Sequence, residues 1–145
     1  MANYHKVLHR VIFLLLFISC TKTSELDQNT SQLTKWKNQK IVDYEFTLTV
    51  NCFCTIETRG PHAIVVKGGK IQSVNGENYD AVKHYAAKTI DQLFELISVN
   101  LERKPFSKTL EYDTKYHFPS SIYFDISQMI ADEEIGYTVS DFKPR

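Results

Sequence analysis

The chain has 145 residues, carries 17 basic and 17 acidic side chains, and is 43% hydrophobic. Nucleic-acid binding requires a concentrated basic surface, whereas the charges here are spread along the chain, so a nucleic-acid partner is not expected. Residues 31–145 are enough for one domain with a single hydrophobic core.

The first nineteen residues have the order of an export signal. Lys6 and Arg10 come first, an apolar run over residues 11–18 follows, and the small Ser19 comes next. The run is far shorter than the roughly twenty residues that a membrane-spanning helix needs. We therefore predict that residues 1–19 are a lipoprotein signal peptide. Their removal leaves 15 basic residues against 17 acidic ones.

Cys20 stands directly after Ser19, and the stretch FISC resembles the processing site of bacterial lipoproteins. In such signals the cysteine receives a diacylglyceryl group and becomes the first residue of the mature protein. These signals usually have leucine three residues before the cysteine, where this chain has Phe17. An ordinary signal peptide with an incidental cysteine is the alternative.

The lipoprotein resemblance implies a lipidated Cys20 and a membrane as partner through that anchor. Two or three acyl chains would make the anchoring stable, since one chain alone holds only marginally. The resemblance also implies an extracytoplasmic location in a bacterial cell envelope, at the outer membrane or facing the periplasm.

The polar stretch after the cysteine is typical of a flexible tether between a lipid and a folded domain. We assign residues 20–30 to the lipidated cysteine and this tether, and residues 31–145 to a single α+β domain. Ser31 is a candidate cap for a short helix over residues 32–40.

Three strands are predicted next. Residues 44–54 alternate between apolar and polar side chains, which is typical of a strand with one buried and one wet face. Gly68 and Gly69 separate two apolar runs, and this is the signal of a two-residue hairpin turn. It predicts strands near residues 62–67 and 70–75.

A helix with one apolar face is predicted from Ile90 to Leu101. Thr89 and Gln92 have the spacing of a capping box, and Pro105 ends the helix. Three more strands are predicted near residues 109–113, 121–127 and 134–142. The order α-β-β-β-α-β-β-β predicts an α+β fold, with an antiparallel sheet of about six strands covered on one face by helices.

Cys52 and Cys54 lie two residues apart on the first predicted strand. Side chains at that spacing on a regular strand are about 6.6 Å apart, whereas a disulfide requires Cβ atoms within about 4.5 Å. A bond between them therefore requires the strand to end, bend or bulge there. With Cys20 acylated they form an even pair, which can persist as a disulfide outside the cytoplasm.

Four interpretations of this pair stay open: a local disulfide, two buried thiols, a redox pair, or part of a metal site. Redox cysteines usually lie at the start of a helix, where the thiol pKa falls. A structural zinc site has four ligands, and His62, the next candidate, would give only three. His62 is instead predicted to begin the next strand as a surface residue.

The other candidate chemistry is less specific. The acidic stretch Asp132, Glu133 and Glu134, with Asp113 and Asp125 nearby in sequence, is interpreted as a solvated turn, with calcium binding as the alternative. We find no known catalytic motif or metal-binding spacing, so no catalytic residue, metal ligand or cofactor is assigned. The aromatic residues of the C-terminal third are interpreted as core and cross-strand pairs, with partner binding as the alternative: Tyr112, Tyr116, Phe118, Tyr123 and Tyr137.

Seven stretches between Trp36 and Phe142 together resemble a bacterial family of small exported domains, often lipoproteins, called domain of unknown function 6174. They are Trp36 itself, DYEF, CFC, the Val-rich strand with Gly69, TIDQLFELI, YDTKYHFPSSIYFD and ADEEIGYTV. One departure is His117, where the family leads us to expect glycine. The resemblance implies an envelope protein and supplies no established activity.

The sequence thus predicts a cell-envelope lipoprotein with a non-catalytic binding or interaction domain, tethered to a membrane by Cys20. Its partner would be an envelope protein or ligand. The alternative is a thiol–disulfide redox enzyme, or another envelope enzyme, that uses Cys52 and Cys54.

Overall fold

The computed structural model describes residues 24–145, which form a seven-stranded antiparallel sheet and three helices. The predicted α+β class is confirmed, with one strand and one short helix more than expected. The elements are, in chain order, α1 (Glu25–Asn38), β1 (Tyr44–Cys52), α2 (Ile56–Arg59), β2 (His62–Lys67), β3 (Lys70–Val74), β4 (Glu77–Asn78), α3 (Ile90–Glu102), β5 (Ser107–Tyr112), β6 (Pro119–Asp125) and β7 (Ile135–Pro144).

The strand order across the sheet is β4-β3-β2-β1-β7-β6-β5. A helix followed by three antiparallel strands occurs twice, as α1 with β1 to β3 and as α3 with β5 to β7. The two runs join where β1 pairs with β7. Both long helices pack on the same face of the sheet, so the core lies between that face and the helices.

The predicted alternation of β1 is confirmed. Tyr44, Phe46, Leu48 and Val50 are each at most 2% exposed, and the residues between them lie on the opposite face of the sheet. Because successive side chains of a strand point to opposite faces, one face of β1 is committed to the core. The other face is left for solvent or a partner.

The helix α3 covers this core as predicted. Its capping box is formed: the Thr89 hydroxyl oxygen accepts from the Gln92 backbone N–H at 3.2 Å, and the Gln92 side-chain oxygen accepts from the Thr89 N–H at 2.8 Å. The buried side chains have the spacing of one helical face: Ile90, Leu93, Phe94 and Ile97.

Tyr44 connects β1 to the start of α3. Its hydroxyl oxygen accepts a hydrogen bond from the Ile90 backbone N–H at 3.2 Å. Burial raises the pKa of Tyr44 to about 12, so the hydroxyl stays neutral at ordinary pH. A neutral hydroxyl can lie in the core at low cost because it has a partner.

An aromatic cluster closes the core at the start of β1. The Trp36 ring packs edge-on against Tyr44, Phe118 and Phe142, with ring centroids 5.6–6.3 Å apart. Phe142 reaches this cluster because β7 has an extra residue opposite β1, where Asp141 has a φ of 55°. Such a bulge shifts the alternation by one, so that Phe142 turns toward the core.

The helix α1 begins earlier than predicted, at Glu25 rather than near residue 32. Ser24 caps it, since its hydroxyl oxygen accepts from the Asp27 backbone N–H at 3.1 Å. The acidic Glu25 and Asp27 in the first turn suit the helix dipole. The expectation of a flexible tether through residue 30 is therefore wrong for residues 25–30, which belong to the folded domain.

The reason for this error is a buried polar residue. Asn29 is 1% exposed. Its amide nitrogen donates to the Phe94 carbonyl at 3.2 Å and to the Ser98 hydroxyl at 3.0 Å, and its oxygen accepts from the Tyr112 hydroxyl at 2.9 Å. These hydrogen bonds hold the first turns of α1 against α3 and β5. The pattern of apolar residues in the sequence does not predict them, because they are made by a polar side chain.

The predicted signal peptide over residues 1–19 and the lipidated Cys20 lie outside the described residues. Within residues 24–145, no helix combines the length and the apolar character that crossing a membrane requires.

Replacing Asn29 should destabilise the domain. We expect Asn29→Leu to lower the free energy of unfolding by about 1–3 kcal/mol, because it leaves buried polar partners unsatisfied. Urea unfolding followed by Trp36 fluorescence measures this. The matched control is Gln28→Leu at the exposed neighbouring position, which should change stability by less than about 0.5 kcal/mol. Equal effects of both substitutions would contradict the proposed role of Asn29.

Candidate functional site at the disulfide end of the sheet

The first strand ends at the cysteine pair. β1 stops at Cys52, which lies opposite Ile135, the first residue of β7. The chain then bends through Phe53, and a disulfide joins Cys52 to Cys54 with their Cα atoms 5.3 Å apart. Of the four interpretations, the structure contains the local disulfide. The strand ends at Cys52, which is the break that a bond between cysteines two residues apart requires.

The two sulfur-bearing residues have different surroundings. Cys52 packs against the core cluster, whereas Cys54 is half-buried beside a recess of about 320 Å³ that Phe53, Thr55 and Arg59 also line. The Arg59 guanidinium Nε donates to the Cys54 carbonyl at 3.0 Å. The disulfide thus holds the turn between β1 and α2 against the sheet.

His62 follows this turn, and its predicted surface position is wrong. It begins β2 as expected but is only 7% exposed. Its Nε2 lies 2.9 Å from the Thr58 carbonyl oxygen. Gly60 permits this packing, since a Cβ there would lie 2.7 Å from the His62 ring, and its φ of 82° suits glycine.

Exposed apolar side chains collect at this end of the sheet. Phe53 and Ile56 follow β1 and are 79% and 73% exposed, while Met129 and Ile130 precede β7 and are 94% and 57% exposed. Phe106, just before β5, is 59% exposed. Three connections of the domain thus bring accessible apolar side chains to the same end of the sheet.

The uncovered face of the sheet is polar. Thr49 lies opposite Thr138, and Thr138 lies opposite Ser121, so three hydroxyl side chains form a row across β1, β7 and β6. A second row pairs Thr47 with Ser140. We call this surface the hydroxyl face, defined by these five residues.

The hydroxyl face continues toward both ends of the sheet. Near the disulfide, Gly136 lies between Asn51 and Tyr123, and a Cβ at Gly136 would be 3.1 Å from the Ile122 carbonyl oxygen. Near the bulge of β7, a shallow recess of about 260 Å³ is lined by residues that include Lys143. The face therefore combines hydrogen-bonding side chains with a shallow recess.

The acidic stretch lies in the connection between β6 and β7. Asp132, Glu133 and Glu134 precede β7, and Asp125 ends β6. Among the described residues, no group of three or more His, Cys, Asp or Glu side chains is placed to hold a metal ion.

Partial desolvation raises the pKa of Tyr123, and the charges of Asp125 and Glu134 add to this effect.

The predicted core role of the aromatic residues is confirmed for most of them. Tyr137 and Phe118 are 6% and 4% exposed, and Tyr112 and Tyr116 pack against the core. Tyr123 differs, since it is 36% exposed and lies on the same side of the sheet as the hydroxyl face. The alternation of side chains along β6 predicts that Tyr123 faces away from the core, because it lies between the buried Ile122 and Phe124.

Comparison with known families supports the resemblance seen in the sequence. A family model described as "Family of unknown function (DUF6174)" matches residues 28–144. The chain belongs to the DUF6174 family. The matched span runs from α1 to the end of β7 and includes all seven strands. Searches of curated proteins and of solved structures give no significant match.

The departure from the expected DUF6174 pattern has a clear structural setting. His117, where glycine was expected, has a φ of 68°, a conformation that glycine adopts most readily. Its backbone N–H donates to the Asp113 carbonyl at 3.0 Å within the connection between β5 and β6. The turn therefore keeps the conformation typical of glycine although the residue is histidine.

Reducing the disulfide should lower stability modestly. The bond closes a loop of only three residues, for which the chain-entropy model gives about 1–2 kcal/mol. We expect wild-type protein to unfold at lower urea concentration in the presence of a phosphine reductant. The control is Cys52→Ser/Cys54→Ser, whose unfolding should not respond to the reductant. A wild-type protein that is insensitive to complete reduction, verified by alkylation and mass measurement, would show that the bond does not stabilise the fold.

Proposed function

We propose that this DUF6174 protein is a cell-envelope lipoprotein, tethered by an acylated Cys20, whose domain binds an envelope protein or ligand without catalysis. The signal-like order of residues 1–19 and the position of Cys20 support the anchor. The hydroxyl face supports the binding role. The two features are independent, and each has its own test.

The start of α1 is the observation that carries the proposal. Ser24 caps the helix, and the fold holds Asn29 in place through three hydrogen bonds. Ser24 is four positions after Cys20 in the chain, and four steps of extended backbone span at most about 14 Å. An acyl chain on Cys20 would therefore hold the folded domain directly at the bilayer.

The hydroxyl face is the surface that we assign to a partner. The helices cover the other side of the sheet, and Thr138 and Ser140 are exposed in the centre of the sheet. Hydroxyl groups both donate and accept hydrogen bonds, so this face suits a polar ligand or a polar protein surface.

A thiol–disulfide enzyme is the second candidate, and one observation favours it. Cys54 is half-buried beside an open recess that Arg59 also lines, and a disulfide can exchange only where its sulfur is accessible. Against it, Cys52 packs into the core and so contributes to the fold. The redox proposal requires Cys54→Ser to abolish a cellular activity that its effect on stability does not explain.

Replacing Cys20 tests the anchor. We expect Cys20→Ala to stop lipid attachment, so that the protein leaves the membrane fraction or remains unprocessed. Fractionation and intact mass measurement report both. The control is Cys54→Ser, which removes a different cysteine and should keep the protein in the membrane fraction. A Cys20→Ala protein that is processed normally and stays in the membrane would refute lipidation at this residue.

Site-specific photo-cross-linking tests the binding role. A photoreactive amino acid at Thr138 lies on the hydroxyl face, whereas one at Val99, 53% exposed on α3, lies on the helical side. We expect cross-linking in intact cells to give a discrete adduct from position 138 and none from position 99. Identical adduct patterns, or monomer only from both positions, would count against the hydroxyl face as the binding surface.

A further inference from the structure

The exposed apolar residues at the disulfide end lead to a second surface. We define the apolar end by Leu26, Phe53, Ile56, Phe106, Met129 and Ile130, which are 40–94% exposed. We propose that the apolar end docks onto the lipid bilayer that holds the Cys20 anchor. This inference rests on the proposed lipoprotein and adds the orientation of the domain at the membrane.

Strand register brings three connections to this end. Cys52 lies opposite Ile135, so the end of β1 adjoins the start of β7. Phe124 also lies opposite Ile135, and Asp125 lies opposite Ser107, so the end of β6 and the start of β5 adjoin it as well. The residues after β1, before β5 and between β6 and β7 are therefore neighbours at one edge.

The helix α1 begins at the same end. The Lys108 ammonium group, near the start of β5, lies 2.7 Å from the Glu25 carboxylate. α1 also runs antiparallel to α3, because Asn29 contacts Ser98 while Lys37 contacts Asp91. The first described residues thus lie at the apolar end, and only three residues lie between Ser24 and Cys20.

The opposite end of the sheet has a different character. Three of its connections are residues 39–43, 68–69 and 113–118, and among them Val42 is the one large hydrophobic side chain that is strongly exposed, at 55%. Charged side chains such as Lys40 and Lys115 are exposed there as well. The longer connection over residues 79–89 leads into the start of α3 at this end and also exposes Tyr79, Val82 and Tyr85. A short anchor brings the apolar end, not this charged end, to the bilayer.

Charge defines the kind of membrane that fits. The apolar end is flanked by five exposed acidic residues and three exposed basic ones: Glu25, Asp27, Glu57, Glu102 and Asp132, with Arg59, Arg103 and Lys104. An excess of acidic groups gains nothing from an anionic surface. Phe, Ile and Met side chains bind through apolar burial at the interface, so we expect the end to prefer a zwitterionic leaflet.

Tryptophan quenching by brominated lipids tests this orientation. Acylated full-length protein, with Cys20 modification verified by mass, is reconstituted into phosphatidylcholine vesicles that carry bromine on the acyl chains. The variants are Phe53→Trp and Ile130→Trp at the apolar end, with Val42→Trp at the opposite end as the matched control. Trp36, only 3% exposed, gives the same background in all three.

We expect loss of emission for Phe53→Trp and Ile130→Trp relative to vesicles without bromine, and no loss for Val42→Trp. Adding anionic phosphatidylglycerol should not increase the loss. Equal emission with and without bromine at all three positions would overturn the docking. A blue-shifted but unquenched Phe53→Trp would also overturn it, since a protein surface or a second copy would then cover the apolar end.

The two levels of the proposal fail in different ways. If Cys20 carries no lipid, the lipoprotein itself is wrong, and the docking fails with it. If Cys20 is acylated and the apolar-end variants are unquenched, the lipoprotein stands and only the orientation is wrong. All three substituted side chains are exposed, so the variants should fold, and urea unfolding verifies this.

Discussion

The pairing of β1 with β7 is the contact on which the rest of the structure depends. Within residues 24–145, β1 belongs to the first run of helix and three strands and β7 to the second, and their pairing joins the two runs into one sheet. It brings Tyr44 opposite Pro144, a hundred residues along the chain. Without this pairing, each run would be a separate sheet of three or four strands with an exposed edge. Neither sheet would enclose the hydrophobic core by itself. Such distant pairing closes a long loop, so we regard the fold as cooperative and of high contact order.

The features that the sequence predicts correctly are those with a local cause. The alternation over residues 44–52 commits one face of β1 to the core, and every side chain there follows it. The capping box of Thr89 and Gln92 places the start of α3 because both partners lie within one turn. Gly68 and Gly69, with φ of 56° and 74°, form the hairpin turn for the same reason. Local geometry is sufficient at each of these places.

The features that escape prediction depend on distant partners. Asn29 is buried because it forms hydrogen bonds with α3 and β5, and no residue near it in sequence predicts these bonds. Phe142 faces the core because a bulge at Asp141 changes the phase of β7. His62 is buried under the Thr58 carbonyl. The candidate surfaces share this origin, since cross-strand register assembles the hydroxyl face from three strands and the apolar end from three separate connections.

The antiparallel register has a consequence for how a partner would meet the protein. Under the proposed anchoring, the apolar end rests on the bilayer and the strands rise away from it. The hydroxyl face then looks sideways, along the plane of the membrane, instead of outward into the aqueous space. Its natural partners would be molecules held at the same leaflet, which reach it by lateral diffusion in two dimensions. Confinement of this kind raises effective concentration, so even a weak polar contact could be occupied.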